Sequence, residues 1–294
     1  MTGTLIIGDY AHSSWSLRGW LLFEKFGLSP EIKLLDFKES SVATQLQQVR
    51  PARTVPTWIA PEGTVVWDSL AIAEELATRH PEAGLWPDAA GLRATARSLA
   101  AEMHSGFTAL RQACPMNLRA AYQGFTPSEA VIADLVRIAD LWSFALEASG
   151  GPWLCGDYSA ADAFFAPVAT RVATFDLPLP APAYDYVAAH LTDPAFRRWR
   201  AMGLVRGQHL PWYHFDLPER PWPGPTPRAA RAVDEGTPEN DACPYSGKSP
   251  TYLMELECEG RIFGFCNPSC RDKTVADPDA WPQVAAWLDG ERAA

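Results

Sequence analysis

The sequence has no long apolar run and no excess of positive charge. No segment approaches the roughly 20 consecutive apolar residues that a membrane-spanning helix needs, so no membrane association is expected. Lysine and arginine number 25 against 35 aspartate and glutamate residues, which gives a net charge of −10. Because nucleic acid selects basic surfaces, this balance argues against a nucleic-acid partner.

Cysteine is also scarce, at six in 294 residues. That number does not indicate a secreted scaffold held together by disulfides. The N-terminal residues carry no basic region and no cleavage site, so no signal peptide is predicted. Together these features predict a cytoplasmic protein. Four of the cysteines nevertheless fall between residues 243 and 294, a local concentration that needs its own explanation.

The chain does have enough length and apolar content, 47% of its residues, for more than one core. Strand patterns over residues 4–9 and 31–37 flank a helical segment that Gly27 ends, which predicts a βαβ unit with parallel strands. Val55-Pro56 opens a third strand, since proline belongs at the start or edge of a strand. A hairpin follows, with its second strand at residues 65–67.

A serine-rich run, Ser13-Ser14-Trp15-Ser16-Leu17-Arg18, lies where the first strand meets the first helix. Hydroxyls at that point lie beside backbone N–H groups that have no partner within the helix. The positive end of the helix dipole also attracts anions, including a thiolate. The simpler alternative is that one serine caps the helix. A second polar helix start, Asp68-Ser69, opens the helix predicted over residues 69–79.

The chain beyond residue 91 is predicted to be helical as far as residue 206. The predicted helices cover residues 92–123, 127–149, 160–174, 183–191 and 194–206. Ser159 and Asp162 have the spacing of a capping box, which gives them a structural role. Cys114 and Cys155 are interpreted as small apolar residues in the packing of these helices. Prolines and charges dominate residues 209–240, which are predicted to form a linker.

The order of these features resembles that of the glutathione transferases. The shared order is strand, Ser-rich helix start, strand, helix, Val-Pro-Thr strand, hairpin and Asp-Ser-Leu-Ala-Ile helix start. The serine-type classes are the most similar, especially zeta, in which a Ser-Ser pair opens the first helix. The resemblance covers residues 4 to about 210. It implies a thioredoxin-like α/β domain over residues 1–80, an all-helical substrate domain over 92–208, and a twofold homodimer.

The resemblance also assigns the catalytic position. Ser13 takes the place of the catalytic serine, with Ser14 beside it, and the hydroxyl stabilises the thiolate of bound glutathione. Trp15 stands where some relatives carry a cysteine, so chemistry through an enzyme thiol is disfavoured. His12 and His104 are candidates to line the cleft for the second substrate, but a lone histidine is more often structural. Neither is therefore assigned a catalytic role.

The glutathione-binding residues come from the same resemblance. Val55 binds glutathione through its backbone, and the bond to Pro56 is cis in the family. Ser69 holds the γ-glutamyl carboxylate, and Asp68 pairs with the α-amino group. Arg53 is placed at the glycyl end of the tripeptide.

Three functions remain open from the sequence. The preferred one is attack of the glutathione thiolate on an electrophilic small molecule, either as a transfer or as a glutathione-assisted isomerisation. The second is a non-enzymatic protein of glutathione transferase fold that binds a metal or a partner through its C-terminal module. The third, a glutathione-dependent reductase, is disfavoured because no cysteine lies in the active-site motif. The presence of both the serine and the Asp-Ser positions favours an enzyme.

The C-terminal module, residues 241–294, is predicted to be a small α+β extension. It contains Cys243, a predicted hairpin over residues 252–265, then the spacing Cys266-x3-Cys270 and a helix. This pattern resembles the YHS and TRASH metal-binding modules, including the aromatic residue before Cys266.

Three thiolates in this pattern suit zinc, which prefers tetrahedral sulfur coordination. Cys258 or water would supply the fourth ligand. The alternative is a module without metal, in which Cys243, Cys266 and Cys270 are reduced thiols held by packing. About 50 residues bury little core, so the stability of such a module without metal would be marginal.

Overall fold

The computed structural model describes residues 2–257 and 259–288, and the chain divides into two compact units. Each unit combines two separate stretches of the chain. The first unit contains the chain through Leu191 together with Gln208–Pro223, and the second contains Thr192–Gly207 together with the chain from Gly224 onward. None of the described helices is both long and apolar enough to cross a membrane.

The first unit begins with a four-stranded sheet and its helices. In chain order the elements are β1 (Thr4–Ile7), α1 (Ser14–Glu24), β2 (Glu31–Leu34), α2 (Val42–Gln45), β3 (Thr57–Ile59), β4 (Val65–Trp67) and α3 (Ser69–Arg79). The strand order is β2-β1-β3-β4. β1 is parallel to β2, and β3 is antiparallel to both β1 and β4. The predicted βαβ unit and hairpin are thus confirmed, and they form a thioredoxin-like sheet.

Helices follow this sheet. They are α4 (Ala90–Ser105), α5 (Thr108–Ala113), α6 (Glu129–Ser149), α7 (Ala160–Phe175) and α8 (Ala181–Thr192). One helix was predicted over residues 92–123, but the structure has two shorter ones there. Gly106 leaves the helical conformation, and a side chain on it would lie 2.7 Å from the Glu102 carbonyl oxygen. Phe107 then adopts a left-handed φ of 55°, so the chain turns before α5.

Helix α7 forms the centre of the helical part, since all of its 16 residues are buried. The predicted capping box at its start is present. The Asp162 carboxylate accepts hydrogen bonds from the Ser159 and Leu154 N–H groups and from the Tyr186 hydroxyl, at 2.8, 3.0 and 2.8 Å. These bonds fix the loop before α7 and the helix α8 onto the same buried group.

The chain returns to the first unit at Gln208. A 3₁₀ turn over Pro211–Tyr213 is followed by the short strand β6 (Glu219–Arg220), which pairs with β5 (Ala121–Tyr122). No strand was predicted in this part of the chain. The two strands have only two residues each, too few for a sequence pattern to indicate them.

The second unit is a three-stranded antiparallel sheet packed with helices. Its elements are α9 (Pro194–Arg206), β7 (Ala230–Val233), β8 (Tyr252–Leu256), β9 (Arg261–Phe265), α10 (Pro268–Ala276) and α11 (Pro282–Leu288). The strand order is β7-β8-β9. The predicted hairpin is present as β8 and β9. However, β7 lies in the segment predicted as linker, and α9, assigned by sequence to the helical domain, belongs to this unit.

Candidate functional site

A cavity of about 650 Å³ opens in the first unit where β1 ends and α1 begins. It brings together all seven site residues that the sequence predicted outside the cysteine cluster. These are Ser13, Ser14, Arg53, Val55, Pro56, Asp68 and Ser69. Residues of α5, of α7 and of Gln208–Pro223, where the chain returns to the first unit, also line the cavity. The thioredoxin-like part therefore forms one half of the cavity, and the helical part forms the other.

The two adjacent serines have different environments. Ser13 is the N-cap of α1, and its hydroxyl accepts from the Ser16 N–H (3.3 Å) and donates to the Ser16 hydroxyl (2.7 Å). Ser14 is the first helical residue, and its hydroxyl accepts from the Arg171 guanidinium at 3.4 Å. Both serines line the cavity at the positive end of α1. The capping role and a role toward a ligand are compatible at Ser13.

Pro56 forms the opposite wall of the cavity and packs closely against α1. The Val55–Pro56 bond is cis, as the resemblance implied. A side chain at Gly19 would lie 2.7 Å from the Pro56 ring, so glycine permits this close approach. Val55 and Arg53 also line the cavity ahead of β3.

Asp68 and Ser69 begin helix α3 and complete this half of the cavity. Asp68 has φ of 77°, an uncommon and strained conformation for a residue with a side chain. Its carboxylate accepts from the Leu70 N–H at 2.8 Å and lies 3.3 Å from Nε2 of His104. His104 thus lies beside the cavity and contacts a predicted binding residue.

The Ser69 hydroxyl is fully buried and has no hydrogen-bond partner among the described residues. Leaving a buried polar group without a partner costs about 1–3 kcal/mol. Ser69 lines the cavity at the N-terminus of α3, where the helix dipole is positive. This arrangement fits an anionic ligand group such as a carboxylate.

The helical half of the cavity contains arginines that the sequence analysis did not predict. Arg111 and Arg171 line it, and Arg18 and Arg111 lie against the Trp15 ring at 4.6 and 4.8 Å from its centre. Burial and the charge of Arg111 lower the pKa of Arg171 to about 10. Arg171 is held by the carbonyl oxygens of Cys114 and Pro167. This half of the cavity is therefore electropositive.

No sequence motif surrounds Arg111 or Arg171, so the sequence gave no signal for a role of either residue. Arg18 was visible within the serine-rich stretch but received no role. A charged residue among the apolar residues of α1 was a usable signal, because Arg is almost never fully buried without a partner. Arg18 is 1% exposed, and two of its guanidinium nitrogens have no partner among the described residues.

The segment Gln208–Pro223, which returns to the first unit, forms a further wall of the cavity. Tyr213 lines the cavity, and its ring stacks on His12 with centroids 4.6 Å apart and planes 13° from parallel. His12 is buried, and its two ring nitrogens lie 3.4 and 3.2 Å from the carbonyl oxygens of Met116 and Gln208. Burial lowers the pKa of His12. His12 therefore acts in the structure as a support for the wall.

The cysteine cluster, Cys243, Cys266 and Cys270, lies in the second unit. Its three sulfurs are all within 4.8 Å of one another. Ser246 and Asn267 donate hydrogen bonds to Sγ of Cys266, each at 3.1 Å. Cys258, the suggested fourth ligand, lies outside the described residues.

The donor set of the cluster fits a soft metal ion, since thiolates select zinc, copper(I) and iron–sulfur centres. Three sulfurs at about 2.3 Å from one tetrahedral zinc ion are about 3.8 Å apart, a separation that lies inside the 4.8 Å limit of the cluster. By contrast, burial raises the pKa of Cys114 to about 12 and that of Cys155 to about 11, so both remain thiols. Their buried positions agree with the predicted packing role.

Part of the first unit matches a known protein family. Residues 12–79 match the family described as the N-terminal domain of glutathione S-transferases. A curated relative, named "Probable maleylacetoacetate isomerase" from Caenorhabditis elegans, is 28% identical over 198 residues. The alignment covers 65% of this chain and 90% of the relative.

Solved structures share the fold at low sequence identity. A glutathione transferase homologue from Burkholderia with bound glutathione is 24% identical, with a TM-score of 0.52 over 67% of this chain and 95% of that chain. Glutathione transferase Omega 2S from Trametes versicolor is 20% identical, with a TM-score of 0.53 over 72% and 98%. Ure2p in complex with glutathione is 19% identical, with a TM-score of 0.51 over 67% and 97%.

Proposed function

We propose that this chain, which carries a glutathione S-transferase N-terminal domain, is a glutathione-dependent transferase or isomerase. The observation that carries the proposal is the buried Ser69 hydroxyl without a partner, in the same cavity as Ser13 at the start of α1. The γ-glutamyl end and the thiol of glutathione thereby each have a matching group. The C. elegans relative named as an isomerase and the neighbours with bound glutathione support this assignment.

In the proposed complex, glutathione lies with its γ-glutamyl end at the start of α3. Ser69 and the helix N–H groups hold the carboxylate, and Asp68 pairs with the α-amino group. The backbone of Val55 holds the cysteinyl portion, and Arg53 meets the glycyl carboxylate. The thiol then lies near Ser13.

Ser13 activates this thiol without attacking the substrate itself. A free thiol has a pKa of about 8.5, and lowering it by about two units requires about 2.7 kcal/mol of preferential binding to the thiolate. A hydroxyl hydrogen bond to a charged acceptor supplies about 1.5–3 kcal/mol. The start of α1 adds about 0.3–1 kcal/mol. These contributions suffice without a general base.

The second substrate is an electrophile with an acidic group. Arg111 and Arg171 line the half of the cavity that the glutathione groups leave open, and cationic walls attract anions. In an isomerisation, the thiolate adds to one carbon of a cis double bond and the electron pair moves onto a conjugated carbonyl oxygen. Rotation about the resulting single bond and expulsion of the thiolate give the trans product.

The test of glutathione binding is calorimetry on the Ser69→Ala variant. The variant should lose affinity for glutathione at least about tenfold, because a hydrogen bond to a carboxylate contributes about 1.5 kcal/mol or more. Its stability without ligand should be unchanged or higher, since the buried hydroxyl has no partner. Ser98→Ala is the matched control, because the Ser98 hydroxyl is exposed and donates to its own helix at Ala94. Unchanged glutathione affinity in Ser69→Ala would remove the proposed γ-glutamyl site.

We also propose that the cysteine cluster binds zinc as a structural ion. The convergence of three thiols and the hydrogen bonds to Cys266 support this second function. Elemental analysis of protein purified without chelators should give one zinc per chain, and Cys266→Ser should lose it. Cys155→Ser, at a buried cysteine outside the cluster, should retain it. Absence of zinc and other transition metals from the unaltered protein would mean that the thiols are held by packing alone.

A further inference from the structure

We infer that Tyr213 is a specificity-determining residue, whose hydroxyl donates a hydrogen bond to an acidic oxygen of the second substrate. The inference rests on the proposed function, since it assigns a residue to the half of the cavity that takes the electrophile. Tyr213 belongs to the tail segment, defined as Gln208–Tyr213, which returns to the first unit after helix α9. The tail segment reaches the cavity through Tyr213.

The tail segment is hydrogen-bonded to the loop that carries Ser13. The Asp9 carboxylate lies between them, and its Oδ2 accepts from the Gln208 N–H at 2.7 Å. Its Oδ1 accepts from the N–H groups of Ala11 and His12 at 2.8 and 3.0 Å. The Asp9 carbonyl oxygen also accepts from the Ser13 N–H at 2.9 Å. Asp9, which is buried, thus fixes the tail segment to the loop that carries Ser13.

The orientation of the Tyr213 ring is fixed as well. One face lies flat on the His12 imidazole, whose nitrogens face the carbonyl oxygens of Met116 and Gln208. On the backbone, the Tyr213 carbonyl oxygen accepts from the Asn117 side chain at 3.5 Å. A ring held on one face and at its backbone has little rotational freedom to lose when a substrate binds.

The hydroxyl of this fixed ring is available as a donor. It makes no hydrogen bond with any residue that the structure describes, and the residue is half-buried at the cavity wall. Burial raises the pKa of Tyr213, which the positive charge of Arg171 only partly opposes, so the phenol keeps its proton. A protonated phenol and the Arg171 guanidinium both donate, which matches a carboxylate or an enolate oxygen. A neutral acceptor gains less from this pair, because hydrogen bonds to charged groups are stronger.

The experiment compares two glutathione conjugates as product-like ligands, so that it does not depend on turnover. S-(1,2-dicarboxyethyl)glutathione carries acidic groups on sulfur, and S-hexylglutathione carries an apolar chain. Calorimetry measures both affinities for the unaltered protein, for Tyr213→Phe and for Tyr252→Phe. Tyr252 provides the matched control, because it undergoes the same change on β8 in the second unit.

Tyr213→Phe should bind the dicarboxyethyl conjugate at least about tenfold more weakly, since the lost hydrogen bond has a charged acceptor. Its affinity for S-hexylglutathione should change less than about twofold, because the phenylalanine ring keeps the stack on His12. Tyr252→Phe should change neither affinity. Equal effects of Tyr213→Phe on both conjugates, or no effect on either, would overturn the inference while leaving glutathione binding in place. Failure of the unaltered protein to bind either conjugate would instead refute the proposed function and the inference with it.

Discussion

At the residue scale, the hydroxyls of Ser13 and Ser14 differ in whether their hydrogen is free to be donated to a ligand. The Ser13 hydrogen points to Ser16 in the structure, and the Ser16 hydroxyl in turn accepts from the Gly8 N–H at 2.9 Å. Donation to a thiolate therefore requires the Ser13 hydrogen to turn from Ser16 to the sulfur. The Ser14 hydroxyl instead accepts from Arg171, so its own hydrogen remains available.

We expect Ser13→Ala to leave glutathione affinity nearly intact and to lower turnover by about one to two orders of magnitude, because the hydroxyl stabilises the thiolate. Ser14→Ala should lower turnover less. Steady-state kinetics with glutathione and an electrophile would measure both effects. Ser13→Ala also removes a helix cap, which costs about 1 kcal/mol of stability.

Ser128→Ala serves as the matched control, because Ser128 caps α6 through the Val131 N–H and does not line the cavity. It should lose similar stability and retain full turnover. A greater loss of turnover in Ser14→Ala than in Ser13→Ala would move the catalytic assignment by one residue.

The sequence was informative for those site residues that lie in contiguous motifs. Ser13, Pro56 and Ser69 come from local patterns that resemble a known family, and the structure brings them to one cavity. Arg171 and Tyr213 could not be placed, because they follow Ser13 by more than 150 residues and no local pattern marks them. Their positions depend on the packing of α7 and of the tail segment, which single-sequence patterns do not specify.

At the element scale, helix α7 determines how the helical half of the cavity is placed. Its buried residues include Arg171, which faces the cavity, and its start is fixed by the bonds to Asp162. The capping box was predictable because Ser159 and Asp162 are three residues apart. The division of residues 92–123 was not, since it depends on the close approach of Gly106 to the preceding turn of α4.

We predict that Asp162→Asn lowers the free energy of unfolding by about 2–4 kcal/mol, because the amide nitrogen cannot accept the bonds that the carboxylate accepts. Turnover per folded molecule should be nearly unchanged, since Asp162 does not line the cavity. Urea unfolding and kinetics at low temperature would measure the two quantities.

Asp140→Asn provides the control for this change. Asp140 is exposed on α6 and pairs with Arg137 at the surface, so its substitution should alter stability by less than about 1 kcal/mol. A large loss of turnover in folded Asp162→Asn would contradict the structural role assigned to the capping box.

At the scale of the whole molecule, the two units show what sequence patterns miss. Helix α9 follows the other helices without a break in pattern, so it was assigned to their domain. In the structure α9 belongs to the second unit. There the Arg197 guanidinium donates to the Asp277 carboxylate at 2.6 Å, although the two residues are 80 positions apart in the sequence. Likewise, Ala230–Val233 is short and follows a proline-rich stretch, and it becomes a strand by pairing with β8.

We propose that the chain forms the twofold homodimer that the resemblance implied. A groove on the first unit is lined mainly by apolar residues of β4 and α3, together with Asp68 and Glu74, and the Trp67 side chain there is 45% exposed. Exposed apolar patches of this kind are typical of interaction sites. Light scattering at micromolar concentration should report a dimer for the unaltered protein and a monomer for Trp67→Glu.

Trp212→Glu controls for the loss of an exposed tryptophan, since Trp212 is 63% exposed and lies outside that groove. It should remain a dimer. A monomer in the unaltered protein would contradict the proposed assembly without affecting the glutathione site.

The central claim is that this cavity binds glutathione and stabilises its thiolate, and the titration of the bound thiol tests it most directly. The ultraviolet absorbance of the thiolate can be followed against pH for the protein saturated with glutathione. Ser13 and the start of α1 should lower the midpoint by about two pH units from the free value of about 8.5. In Ser13→Ala the midpoint should move back toward the free value. A bound thiol that titrates at the free value in the unaltered protein would contradict the account.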